Sequence, residues 1–94
     1  MSKNKAVHVI VSSRVQGVCF RMETLKAAVR MNVTGWVKNR RDGAVEGVFE
    51  GAPENVDALV NWCKRGPIMA SVSDVAVREL DYTGEYADFS IRYE

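Results

Sequence analysis

The chain predicts an α+β fold in which an antiparallel sheet carries two helices on one face. Three observations carry that prediction: β-branched or aromatic residues alternate near both ends of the chain, two segments of helical period lack interior Gly and Pro, and an Asp-Gly pair separates two short apolar runs. At 94 residues the chain is expected to form a single domain over 1–94. A domain of that size buries roughly 60 to 65% of the surface its unfolded form would expose.

Each element has its own local reason. Val7, Val9 and Val11 alternate with His8, Ile10 and Ser12, the pattern of a strand with at least one buried face. Leu25, Ala28, Val29 and Asn32 recur at helical spacing, so a helix is predicted from Arg21 to Val33 with that stripe facing the sheet. Gly35 opens a second strand, Trp36 to Arg40, and Arg41, Asp42 and Gly43 turn the chain into a third, Ala44 to Glu50, because Asp-Gly readily takes the positive φ of tight hairpins. Pro53 suits a first helical position, Glu54 and Asp57 follow near the positive helix end, and Val56, Leu59, Val60 and Cys63 form one face before Gly66 stops the helix. Val72, Val75 and Val77 indicate a fourth strand reaching Leu80, and Phe89, Ile91 and Tyr93 a short fifth. The order βαββαβ plus one strand is the ferredoxin-like split βαβ sandwich. Many functions share that plan, so chemistry has to be read from side chains.

Composition narrows the choices. The formal charge of +1, with acids and bases interspersed, provides no broad field for a nucleic-acid partner, so any anion specificity must be local. Cys19 and Cys63 show no paired spacing and His8 is the one histidine, which disfavours a metal site, and nothing suggests a cofactor. Free thiols suit a reducing compartment, and no apolar run is long enough to signal secretion or span a membrane, so a cytoplasmic protein is expected. Balanced charge and the absence of a coiled-coil pattern favour a monomer.

The stretch Arg14-Val15-Gln16-Gly17-Val18-Cys19-Phe20-Arg21 joins the first strand to the first helix. Gly17 allows consecutive N–H groups to turn inward, the helix adds its partial positive end, and Arg21 supplies a planar fork of donors that fixes phosphoryl oxygens in a way an ammonium cannot. A second stretch, Gly35-Trp36-Val37-Lys38-Asn39 with Gly43, Val45 and Gly51, places Asn39 near the end of the second strand, within approach of that loop.

These two stretches resemble the two signature motifs of the acylphosphatase family, and the likeness extends to the ending Phe89-Ser90-Ile91-Arg92-Tyr93. Cys19 occupies a variable motif position; Ser13 stands where the family usually has Gly, and Ile68 replaces a common second proline. The resemblance implies hydrolysis of small acyl phosphates, with Arg21 and the backbone N–H groups of Val15, Gln16, Gly17, Val18, Cys19 and Phe20 binding the phosphoryl group and Asn39 positioning the attacking water. Inorganic phosphate would then be product and competitive inhibitor. The chemistry is self-consistent without metal or general acid: a carboxylate leaving group has a pKa of about 4 to 5 and departs unaided. The amide of Asn39 orients water without taking its proton.

Other readings of these residues are duller or belong to other classes. Cys19 lies two positions before Arg21, closer than thiol-nucleophile phosphatases place theirs, which argues against a nucleophilic role, while its place beside the loop N–H groups and Arg21 makes it a candidate for oxidation. Cys63, Trp36, Trp62 and Tyr93 read as packing groups, and His8 as a strand residue without an orienting carboxylate in either motif. An RNA-binding module of the same fold would need exposed aromatics on its third strand, whereas Ala44-Val45-Glu46-Gly47-Val48-Phe49-Glu50 carries acids. A catalytically weak phosphate-binding regulatory domain is the remaining alternative.

Overall fold

A computed structural model describes residues 3–14, 19–68 and 70–93, with backbone alone at 13 and 14. Its elements are β1 (Lys5–Arg14), α1 (Phe20–Arg30), β2 (Thr34–Asn39), β3 (Val45–Gly51), α2 (Pro53–Arg65), β4 (Ser71–Leu80) and β5 (Phe89–Arg92). They form an α+β ferredoxin-like arrangement with sheet order β4-β1-β3-β2-β5.

The sheet is mixed rather than wholly antiparallel. β3 pairs antiparallel with both β1 and β2, and β4 antiparallel with β1, but β5 pairs parallel with β2 from Gly35↔Phe89 to Lys38↔Arg92. The reason is geometric. β4 ends beside the start of β1, at the Ala6↔Leu80 pair, and β5 must reach the opposite edge of the sheet. Residues 81–88 cross four strand spacings, about 19 Å, along that end of the sheet, where the Glu50 carboxylate holds Thr83 and Gly84. The chain therefore re-enters at the end where β2 begins, and runs with it.

Val7, Val9, Val11, Val37, Val45 and Phe49 present one sheet face to Phe20, Ala27 and Ala28 of α1 and to Val56, Leu59, Val60 and Cys63 of α2. Burial pushes the Cys63 thiol up to about 12. The α2 face matches the sequence expectation, with Pro53 opening the helix and Gly66 donating its N–H to Trp62 O at 2.7 Å. The α1 stripe does so only in part: Ala28 is buried and Leu25 packs against the core, but Val29 and Asn32 do not belong to the buried face. Phe20, Thr24, Ala27 and Ala28 are buried, while Val29 is 67% exposed. Small residues at 27 and 28 let the helix lie close to the sheet, with Leu25 packed at the edge of that contact. Asn32 ends the helix instead of belonging to it: at φ 60° it closes a Schellman motif, with Asn32 N donating to Val29 O at 3.2 Å and Val33 N to Ala28 O at 2.8 Å.

Candidate active site

Because β3 lies between them, β1 and β2 run the same way, and Asn39 at the end of β2 stands at the sheet end from which β1 leaves for α1. Strand alternation puts Gly35, Val37 and Asn39 on the helix-bearing face, and Arg21 is the second residue of α1. Arg21 and Asn39 accordingly border one cavity of about 330 Å³, completed by Cys19, Phe20, Met22, Ile91 and Tyr93. A neighbouring space of about 450 Å³ shares Arg21, Asn39 and Tyr93 and adds Arg92. The expected loop donors Val15, Gln16, Gly17 and Val18 lie outside the described residues. Just before them the β1–β4 register shifts between Ser12 and Ser13, a bulge-like irregularity of the kind that bends a strand where it must redirect the chain.

The start of α1 is held by packing. Phe20 is 2% exposed and its ring centroid lies 5.6 Å from that of Trp62, so the side chain clamps α1 to α2. Thr24 Oγ1 donates to Phe20 O at 2.7 Å. Cys19 caps the helix in the left-handed region, φ 64° and ψ 24°, and its exposed thiol makes no capping bond. The first-turn N–H groups have no intrahelical acceptor in such a position and remain available to an anion.

Asn39 Oδ1 is buried without a hydrogen-bond partner among the described residues. A buried acceptor left in that state costs about 1 to 3 kcal/mol, so the geometry calls for a donor there. The surrounding charge is positive. A further space of about 480 Å³ on the other side of Asn39 is lined by Lys38, Arg40, Arg41 and Asp42. Asp42 is occupied with local structure: its carboxylate accepts from Ala44 N at 3.1 Å and Arg40 Nε at 3.2 Å, and these bonds, the backbone one first, hold its pKa below the usual range. Five cations thus stand at this end of the sheet, Arg21, Lys38, Arg40, Arg41 and Arg92, with Lys38 paired to Glu46 and Arg40 to Asp42. Among the described residues no group of three His, Cys, Asp or Glu side chains could hold a metal ion.

One expectation is corrected. Tyr93 is not a packing group: it is 76% exposed, lines the cavity, and has the Arg21 guanidinium 5.2 Å from its ring centroid. The alternation Phe89, Ile91, Tyr93 carried the signal, since Phe89 is buried and Tyr93 shares its face. His8 points from its strand to a neighbour, as expected; that neighbour is a carboxylate outside the matched motif positions, Glu46 Oε2 at 2.7 Å from Nε2, on the sheet face opposite the helices. Trp36 lies on that same face, under Arg92 at 4.7 Å and with Nε1 donating to Tyr86 Oη at 3.3 Å.

The sequence profile of the acylphosphatase family matches residues 7–91. A curated acylphosphatase of Pelotomaculum thermopropionicum is 55% identical over 99% of this chain and 100% of its own length. An acylphosphatase structure from Coxiella burnetii superposes with a TM-score of 0.90 at 40% identity, covering 95% of this chain and 93% of that one. One from Bacillus subtilis gives 0.91 at 37% identity, covering 95% and 99%. Matches of this extent, on a fold that brings Arg21 and Asn39 to one cavity, show that the chain belongs to the acylphosphatase family and is an enzyme of that type.

Proposed function

We propose that this enzyme hydrolyses the carboxyl–phosphate bond of acyl phosphates without a metal, Arg21 and the backbone N–H groups of residues 15–20 holding the phosphoryl group while Asn39 aims the water. The observation that carries this reading is that Arg21 and Asn39 border one cavity, with Asn39 Oδ1 left without a hydrogen-bond partner among the described residues. An acceptor placed there takes one water proton as a hydrogen bond and fixes the oxygen lone pair toward phosphorus. The new bond joins water oxygen to phosphorus as the phosphorus–oxygen bond to the acyl group breaks. A dianionic acyl phosphate and water become a carboxylate and H₂PO₄⁻, so both water protons finish on phosphate and Asn39 transfers none. Arg21 and the main-chain donors stabilise the equatorial oxygens, and the low basicity of the carboxylate removes the need for a general acid. Catalysis is chiefly positioning and charge stabilisation.

Benzoyl phosphate turned over in H₂¹⁸O with a chelator present tests this. The expected outcome is undiminished hydrolysis with the label in phosphate. Label in benzoate would mean attack at the carbonyl carbon, and loss of activity on chelation would remove the metal-free mechanism.

A further inference from the structure

We infer that two copies of this chain pair through the outer edge of β4, antiparallel and centred on Ala76, so that one sheet runs through both. β4 and β5 are the two edges of the sheet. β5 has four residues and offers little to pair with, whereas β4 has ten, with neither Pro nor Lys among them. The regular part of β4 begins past the register shift beside Ser73 and runs from Asp74 to Leu80 against β1. Its side chains are ordered to suit a second copy of the same strand. A two-fold axis normal to the sheet keeps the helix-bearing faces on one side, so residues that meet lie at equal distances from the axis. With the axis at Ala76, Asp74 of each copy meets Arg78 of the other and Val75 meets Val77, each contact occurring twice. Moving the axis to Val75 or Val77 separates the charges; moving it to Asp74 or Arg78 sets a charge against its own kind. Asp74 and Arg78 are exposed, and neither has an ion-pair partner among the described residues. Val77 pairs with the core residue Val9 and so lies on the helix-bearing face, yet it is 47% exposed, and the Val75 of a second copy would cover it. No residue of β4 lines the Arg21–Asn39 cavity, which stays open in the pair. A dimer departs from the monomer that composition favours, because composition counts charges and not their order along a strand.

A single paired strand makes a small interface, so a dissociation constant on the order of 100 µM is expected, measured by sedimentation equilibrium of the full chain between about 10 µM and about 1 mM. Asp74→Arg and Arg78→Asp each set like charges against one another twice, and each should weaken self-association by about tenfold or more. Mixed in equal amounts, the two variants bring arginine at both positions against aspartate at both, and association should return. The double variant Asp74→Arg with Arg78→Asp keeps the net charge, restores the opposed pairs within one sequence and should self-associate like the wild type. Hydrolysis of benzoyl phosphate should be the same in all of them, which also reports that each is folded. A wild-type chain that stays monomeric across the range overturns the pairing and leaves the edge to an extended segment of another protein or to none. Self-association that survives both single variants places the contact on another surface and overturns it equally. Loss in the single variants without recovery in the mixture and the double variant overturns the register centred on Ala76.

Discussion

Arg21 and Asn39 divide the chemistry between a charged clamp and a neutral aim, and that division predicts different kinetic losses. Arg21→Ala removes the charge-assisted fork and should lower kcat/KM by about 10³- to 10⁵-fold, with phosphate inhibition lost as well. Asn39→Ala leaves the fork in place and should lower kcat by about 10²-fold while the inhibition constant for phosphate stays as it was. Steady-state kinetics with phosphate as inhibitor checks both; equal loss of phosphate affinity in the two variants would contradict the assignment. Both residues were legible because each sits in a short stretch with its own chemistry, a strand-to-helix turn ending in Arg and a strand ending in Asn. Tyr93 was misread because alternation reports a face, and whether that face is covered depends on where the helices stop.

At the scale of elements, β2 and β3 place Asn39, and their close approach depends on Gly35. Its φ is +132°, and a Cβ there would lie 1.9 Å from Val48 O on the paired strand. Neither contact partner can retreat, since the obstacle is backbone in the centre of a sheet. Gly35→Ala should therefore destabilise by about 3 kcal/mol or more, a fall in Tm of at least about 12 °C by calorimetry. An unchanged Tm would mean that the strands separate at little cost. The tight β2–β3 turn was foreseeable from Asp42-Gly43, and Gly43 does take φ +94° while Arg40 N donates to Ala44 O at 2.8 Å. The end of α1 was not, because its signal is one Asn in the left-handed region rather than a Gly.

Across the whole molecule, the placement of Tyr93 depends on the crossing segment 81–88, and a single buried acid holds that segment down. Glu50 is 1% exposed on the face without helices; its Oε2 accepts from Thr83 N at 3.1 Å and Thr83 Oγ1 at 2.9 Å, and its Oε1 from Gly84 N at 3.0 Å. Bonds to a carboxylate are among the stronger ones, so Glu50→Ala should cost about 2 to 4 kcal/mol. Hydrogen exchange should show the amides of Thr83 and Gly84 losing protection before those of β1 and β3. Protection that survives the substitution would show that the crossing is held elsewhere. The same face bears on the RNA-binding alternative: Trp36 on it is 9% exposed and stacked under Arg92 rather than displayed.

The amino-acid sequence by itself determined which segments are strands and helices, where most of them begin, and which two stretches carry phosphoryl chemistry, since periodicity, turn residues and donor types act over a few neighbouring residues. Tertiary structure decided what stands beside what. β5 joined β2 in parallel because the crossing segment is tied to Glu50 at the sheet end where β2 begins, and the chain re-enters there. That long-range choice brought Tyr93 to the cavity of Arg21 and Asn39, and no local pattern contains it because the pairing of edge strands is set by chain length and by burial across the whole sheet.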